Sequence, residues 1–198
     1  MPISFSSSSS LAPQSSRSVA ESLPGRLTIA FAATLFVAAC AHVSIPLPFT
    51  PVPLTLQNFA VVLVGLTLGP VAGFSAMVLY LAEGAMGLPV FNPNSVGGVL
   101  QLLGPTGGYL FAYPLVAAMA GWIFRMPRIS SLYARAAVAS TLATIVLFAV
   151  GSLWIAKVLH LSAPAVWTMS IAPFLPGEIV KIAAAAGIAA SVQRWRQA

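Results

Sequence analysis

The sequence predicts an all-α integral membrane protein of six transmembrane helices with both termini cytoplasmic. Three observations predict it. Hydrophobic residues make up 59 % of the 198 positions and charged residues 6 %, against roughly 25 % charge in soluble domains. Apolar segments able to cross a hydrocarbon core of roughly 30 Å recur along the chain. Arg17, Arg26, Arg125, Arg128, Arg135, Arg194 and Arg196 fall in alternate connections, while those at 46–53, 91–106 and 160–175 hold no Lys or Arg. That asymmetry marks cytoplasmic loops. The net charge of +6 is therefore topological and requires no nucleic acid partner.

Residues 1–26 are Ser-rich, with too little apolar surface to offset the entropy of ordering, and are expected to form a disordered cytoplasmic tail. Domain limits follow: a membrane domain over 27–194 and a short cytoplasmic end at 195–198. Span one runs from Leu27 to about Ile45, and its Ala30, Thr34 and Ala38 recur every fourth position, the small-residue spacing that admits a neighbouring helix. Val37-Ala38-Ala39-Cys40 resembles a lipoprotein cleavage box, but even topology needs this span retained. Four prolines within 46–53 forbid helix and predict a stiff outer connection.

Span two is expected from Leu54 to about Leu68, and Gly69-Pro70 turns the chain straight into span three, Val71 to Leu88. Span three contains Glu83. It suits a ligand contact, a proton-linked group or an outer-edge residue solvated by headgroups, and the nearby end at Pro89 favours the last. Residues 91–109 are uncharged and rich in Gly, which suggests a lid over the outer face or a plain connector. Spans four, five and six are expected at about Gly107–Phe124, Ala136–Leu159 and Pro176–Val192. Lys157 is expected to snorkel, with Trp154 and Trp167 as interfacial anchors and 160–175 as an outer connection.

The strongest site signal is Glu178 with Lys181. They lie three apart within an apolar segment, so they share a helix face, and Pro176 sets the helix start that places Glu178 in the first turn. An ionisable residue at membrane depth is a candidate functional group. The pair is either a structural ion pair or one wall of a polar pocket. Gln57, Asn92 and Asn94 fall on the same outer side. The chain has no Asp, a single Cys and distant histidines, so no nucleophilic, redox, metal or cofactor chemistry is indicated. A pocket with a carboxylate, an ammonium and amides suits a small, mostly apolar molecule bearing urea-like or amide groups and an acid.

Phe49-Thr50-Pro51-Val52-Pro53-Leu54-Thr55-Leu56-Gln57, Gly87-Leu88-Pro89-Val90-Phe91, Leu103-Gly104-Pro105-Thr106-Gly107-Gly108-Tyr109 and Pro173-Phe174-Leu175-Pro176-Gly177-Glu178-Ile179-Val180-Lys181 together resemble the BioY family. These are biotin-specific S components of energy-coupling factor (ECF) transporters. The resemblance implies an ECF S-component fold in the plasma membrane that captures biotin from outside, working with a transmembrane T component and two ATPase subunits. By matching position it implies substrate binding by Glu178 and Lys181, with Gln57, Asn92, Asn94 and Tyr109 as further candidates. Phe49, Phe91 and Tyr109 would wall the apolar part of the ligand. The small face of span one, Ala30, Thr34 and Ala38, would dock the T component.

Two positions depart from the family's habit: Glu178 stands where Asp is usual, and Glu83 where an apolar residue is usual. They keep open a different vitamin-like ligand on the same fold. Other readings are an intramembrane enzyme acting on lipid, which needs Glu83 beside Glu178, and a structural subunit, which needs no polar cavity. Whether the chain works alone, as a homo-oligomer or only with the energising module is not legible.

Overall fold

The structure is a computed structural model that describes residues 22–198. The expected tail therefore lies outside the described residues up to position 21. Helix α1 spans Leu23–His42 and starts ahead of the expected Leu27 because Ser22 caps it. Its hydroxyl accepts the Gly25 N–H at 3.2 Å, and Pro24 in the first turn brings no N–H that needs a partner.

Helix α1 ends at His42 rather than Ile45, since a residue before proline is pushed into extended backbone. Strand β1 (Ser44–Ile45) pairs antiparallel with β2 (Leu54–Thr55), Ser44 opposite Thr55 and Ile45 opposite Leu54. The proline connection is thus the loop of a two-stranded strap.

Helices α2 (Gln57–Leu68) and α3 (Pro70–Ala85) follow. Gly69 between them has φ of 98°, a left-handed value that glycine adopts freely. At 12 and 16 residues both are shorter than the roughly 20 residues of a perpendicular crossing. The expected second span loses its first residues to β2.

The rest of the chain forms α4 (Gly98–Leu103), α5 (Gly107–Phe124), α6 (Leu132–Val158), α7 (Ala163–Val166) and α8 (Leu175–Gln197). Among the described residues, α1, α5, α6 and the segment Ala163–Gln197 are long and apolar enough to cross a membrane. Residues 160–175, expected as a connection, are largely helical: α7, a π turn at Trp167–Ile171 and a 3-10 turn at Ala172–Phe174 lead into α8. No Lys, Arg, Asp or Glu draws this segment to water, and helical turns satisfy its backbone internally.

Helix α5 is the centre of packing, with Tyr109, Leu110, Tyr113, Val116, Ala117 and Ala120 buried. Gly65 of α2 lets the two helices touch, since a Cβ there would collide with the Ala117 backbone. Gly151 of α6 leaves room for the Tyr109 ring and Gly108 of α5 for Trp154. The helices interlock through an aromatic from each. Leu35, Leu115, Leu153, Ile179 and Val180 are exposed around the outside, as side chains facing lipid tails would be.

Two expectations are corrected here. Thr34 is 1 % and Ala38 8 % exposed, and Ala30 packs on the same core. The small stripe therefore seats α1 on α2 and α3, and Thr34 and Ala38 are covered within the chain itself rather than open to a partner. Glu83, expected among headgroups, is 5 % exposed and accepts the Thr34 hydroxyl at 3.1 Å. Helix α3 turns it towards α1, where the small stripe makes room.

The ends of the bundle differ in chemistry. Arg125 donates to the Gly121 carbonyl at 2.9 Å and the Leu66 carbonyl at 3.4 Å, and Arg196 to the Thr67 carbonyl at 2.8 Å. These arginines gather at the C-terminal end of α2, where backbone carbonyls are unpaired. Helices α2, α5 and α8 all begin at the other end, where the cavity lies.

Candidate binding site

At that other end lies a cavity of about 400 Å³, within the roughly 300–1,000 Å³ typical of small-molecule sites. Glu178 and Lys181 enter it from the first turns of α8. The Lys181 ammonium lies 2.7 Å from Glu178 Oε1, with side chains only 10 % and 6 % exposed. Asn58, on the first turn of α2, completes the group. Its Nδ2 donates to Glu178 Oε1 at 2.6 Å, and its Oδ1 accepts from Lys181 Nζ at 3.0 Å.

This geometry settles two questions together. The charges are an ion pair, and the pair also lines the cavity. A buried pair is stable only when further hydrogen bonds satisfy its spare valences, and Asn58 supplies one to each partner. The Asn58 amide and the Lys181 ammonium both donate to Oε1, which leaves Glu178 Oε2 without a protein donor among the described residues. One carboxylate oxygen remains available as an acceptor.

All six sequence-derived candidates, Glu178, Lys181, Gln57, Asn92, Asn94 and Tyr109, line this cavity. The chain already holds several of them in place. Gln57 Nε2 donates to the Tyr80 hydroxyl at 2.8 Å, and that hydroxyl donates to the Val90 carbonyl at 2.6 Å. Asn92 and Asn94 donate to the Ser44 hydroxyl at 2.8 and 3.2 Å, which pins the glycine-rich loop onto the strap. Tyr109 donates to the Ser170 carbonyl at 3.1 Å.

The loop at 91–106 forms a cap. Gly97 and Gly98 have φ of 67° and 61°, left-handed values that let the chain turn sharply into α4. Gln101 on α4 lines the cavity. Trp154, expected as an interfacial anchor, donates its indole N–H to the Gly104 carbonyl at 2.9 Å. It ties the cap to α6. The strap is fixed similarly, since the Thr50 hydroxyl donates to the Met169 carbonyl at 2.6 Å.

The apolar walls differ in part from expectation. Phe49 is 54 % exposed and absent from the lining, because the strap's prolines turn it outward. Phe91 is buried edge-on against Tyr80, ring centroids 5.4 Å apart, and supports Gln57's partner instead of the cavity. Phe148 and Phe174 take their places beside Tyr109 and Tyr113. Asn58, Gln101, Phe148 and Phe174 were not among the sequence candidates. Asn58 alone carried a signal: a polar residue adjacent to Gln57 at the start of an apolar helix.

Residues 13–198 match the model of the BioY family. The chain belongs to the BioY family. It is 38 % identical over 167 residues to a probable biotin transporter of Pyrococcus horikoshii, covering 84 % of this chain and 94 % of that protein. A biotin transporter of Thermotoga maritima is 35 % identical over 81 % of this chain and 91 % of its own. In three dimensions this BioY chain is similar to the crystallised S component for biotin of an ECF-type ABC transporter. The TM-score is 0.74 at 25 % identity, covering 85 % of this chain and 90 % of that one. The BioY fold thus accounts for the helices that carry the cavity.

Proposed function

We propose that this chain is the biotin-capturing S subunit of an ECF transporter. Carrying the proposal is the Asn58–Glu178–Lys181 group, set against apolar walls in a cavity roofed by α4 and the strap. Biotin matches it, with an apolar bicyclic ring and chain for the aromatic walls and a ureido group for the polar one. Free Glu178 Oε2 accepts a ureido N–H, and Lys181 donates to the ureido carbonyl. The cavity's polar lining leaves no basis for a structural subunit. Glu83 is bonded to Thr34 and lies outside the lining, so no acid–base pair forms for an enzyme acting on lipid.

In this reading α2 and α3 complete six crossings of the plasma membrane, with both termini cytoplasmic and the cavity opening outward. A T component with two ATPases supplies the energy for delivery inward. Membrane lipids surround the exposed apolar belt. The test is equilibrium binding of labelled biotin to the detergent-purified chain, wild type beside Glu178→Ala. The variant removes the charged acceptor of a ureido N–H, a bond worth about 1.5–3 kcal/mol, so affinity is expected to fall roughly 10- to 100-fold. A folded wild type that does not bind biotin overturns the substrate, and a variant that binds as tightly as wild type overturns the role of Glu178.

A further inference from the structure

Tyr113 is 4 % exposed and lines the cavity from α5. Two other buried tyrosines are committed, Tyr80 to the Val90 carbonyl and Tyr109 to the Ser170 carbonyl. The Tyr113 hydroxyl has no hydrogen-bond partner among the described residues, and it is open to the cavity rather than sealed by protein. Buried polar groups in native proteins are nearly all paired, and a phenol O–H needs an acceptor. Water serves it while the cavity is open to solvent, and a ligand that fills the cavity must supply that acceptor instead. Residues four apart share a helix face, so Tyr113 lies one turn deeper than Tyr109 on the wall made by α5. Its ring packs against Tyr80, centroids 6.5 Å apart, and Tyr80 takes the amide of Gln57, the neighbour of Asn58. The hydroxyl is within electrostatic reach of Glu178 yet makes no bond to it. A free donor and the free acceptor Oε2 therefore face one space, the complement of a group that carries N–H beside C=O.

Resting on the biotin reading above, we propose that Tyr113 is a specificity-determining residue whose hydroxyl donates to biotin's ureido oxygen. That oxygen has two lone pairs. Lys181 fills one with its remaining N–H, since the other two go to Asn58 and Glu178, and Tyr113 fills the second. Biotin's carboxylate is the other strong acceptor, but in this place it would set its own charge against Glu178 Oε2. With Oε2 taking a ureido N–H, the wall reads both the donor and the acceptor edge of the ureido group.

The experiment compares wild type with Tyr113→Phe, which keeps the ring and removes the donor. Each is titrated with biotin, with its thiourea analogue, in which sulfur replaces the ureido oxygen, and with desthiobiotin, which lacks the ring sulfur. Loss of one neutral hydrogen bond weakens biotin binding by about 10-fold. Sulfur accepts hydrogen bonds poorly, so in the variant the penalty for the thiourea shrinks by about the same factor, while the penalty for desthiobiotin is unchanged. Such a cycle isolates the pairwise coupling, and each ratio is taken within one protein, so a partly unfolded variant does not distort it. A thiourea penalty equal in the two proteins overturns the proposal. So does a desthiobiotin penalty that shrinks in its place, which would put the hydroxyl on the ring sulfur. A wild type that fails to bind biotin overturns the substrate, and this proposal with it.

Discussion

Asn58 shows most directly what a single side chain contributes. It donates to the carboxylate and accepts from the ammonium, so it holds Glu178 and Lys181 in a fixed register while leaving Oε2 free. Hydrogen bonds to charged groups contribute about 1.5–3 kcal/mol each. Asn58→Leu, close in size but without the amide, is expected to weaken biotin binding by at least about 10-fold. Asn58→Asp should fare no better, because it places a second carboxylate against Glu178 in a buried site. Isothermal titration of both variants checks this; wild-type affinity in either would show that the ion pair orients itself. The glutamate and lysine were legible because charge is rare in an apolar segment and three-residue spacing shares a helix face. The pairing of Asn58 with them was not, since nothing in a linear sequence says that a residue on α2 meets one 120 positions later. Aromatics fared worse: Phe49 and Phe148 are equally apolar on paper, and only the strap's turn decides which of them faces in.

At the scale of elements, the cap and the strap are held by few, identifiable bonds. Trp154 is the cap's tie to α6: its N–H reaches Gly104 while its ring packs against Phe111, centroids 5.7 Å apart. Trp154→Phe keeps an aromatic ring and removes the donor. The net worth of one such bond is about 1 kcal/mol, small against global stability but large for an element of one and a half turns. The expected result is biotin release faster by about fivefold, with the thermal midpoint little changed. Stopped-flow displacement of labelled biotin measures it, and an unchanged release rate would show that the cap does not gate the site. Turns were readable from sequence wherever Gly and Pro fix the backbone, as at Gly69-Pro70. The segment at 160–175 was misread because lack of charge and a Pro-rich composition suit both a connection and a short helical entry. The buried Ser170, bonded to Ser152 at 2.9 Å, and the buried Phe174 show that it packs.

Across the whole molecule, the two ends are separated by charge. Arg125 and Arg196 meet on the carbonyl end of α2, and Arg128, Arg135 and Arg194 belong to the same ends of α5, α6 and α8. At the cavity end the cations are Lys157 and Lys181, and the second is neutralised by Glu178. The orientation rule counts Lys and Arg close to the spans, so this imbalance predicts the arginine end in the cytoplasm and the cavity outside. Cys40, the chain's one cysteine, makes a direct test simple. In a Cys40→Ala background, Val96→Cys reports on the cap, where Val96 is 77 % exposed. Ser130→Cys reports on the arginine end, where Ser130 is exposed. A maleimide that cannot cross membranes, added to intact cells, is expected to label position 96 at once and position 130 only after lysis. Labelling in the reverse order would place the cavity in the cytoplasm and turn a capture subunit into one that could only release. The same imbalance predicts how the orientation fails: replacing Arg125, Arg128 and Arg135 by Gln removes the central cluster, and mixed labelling at both positions should follow.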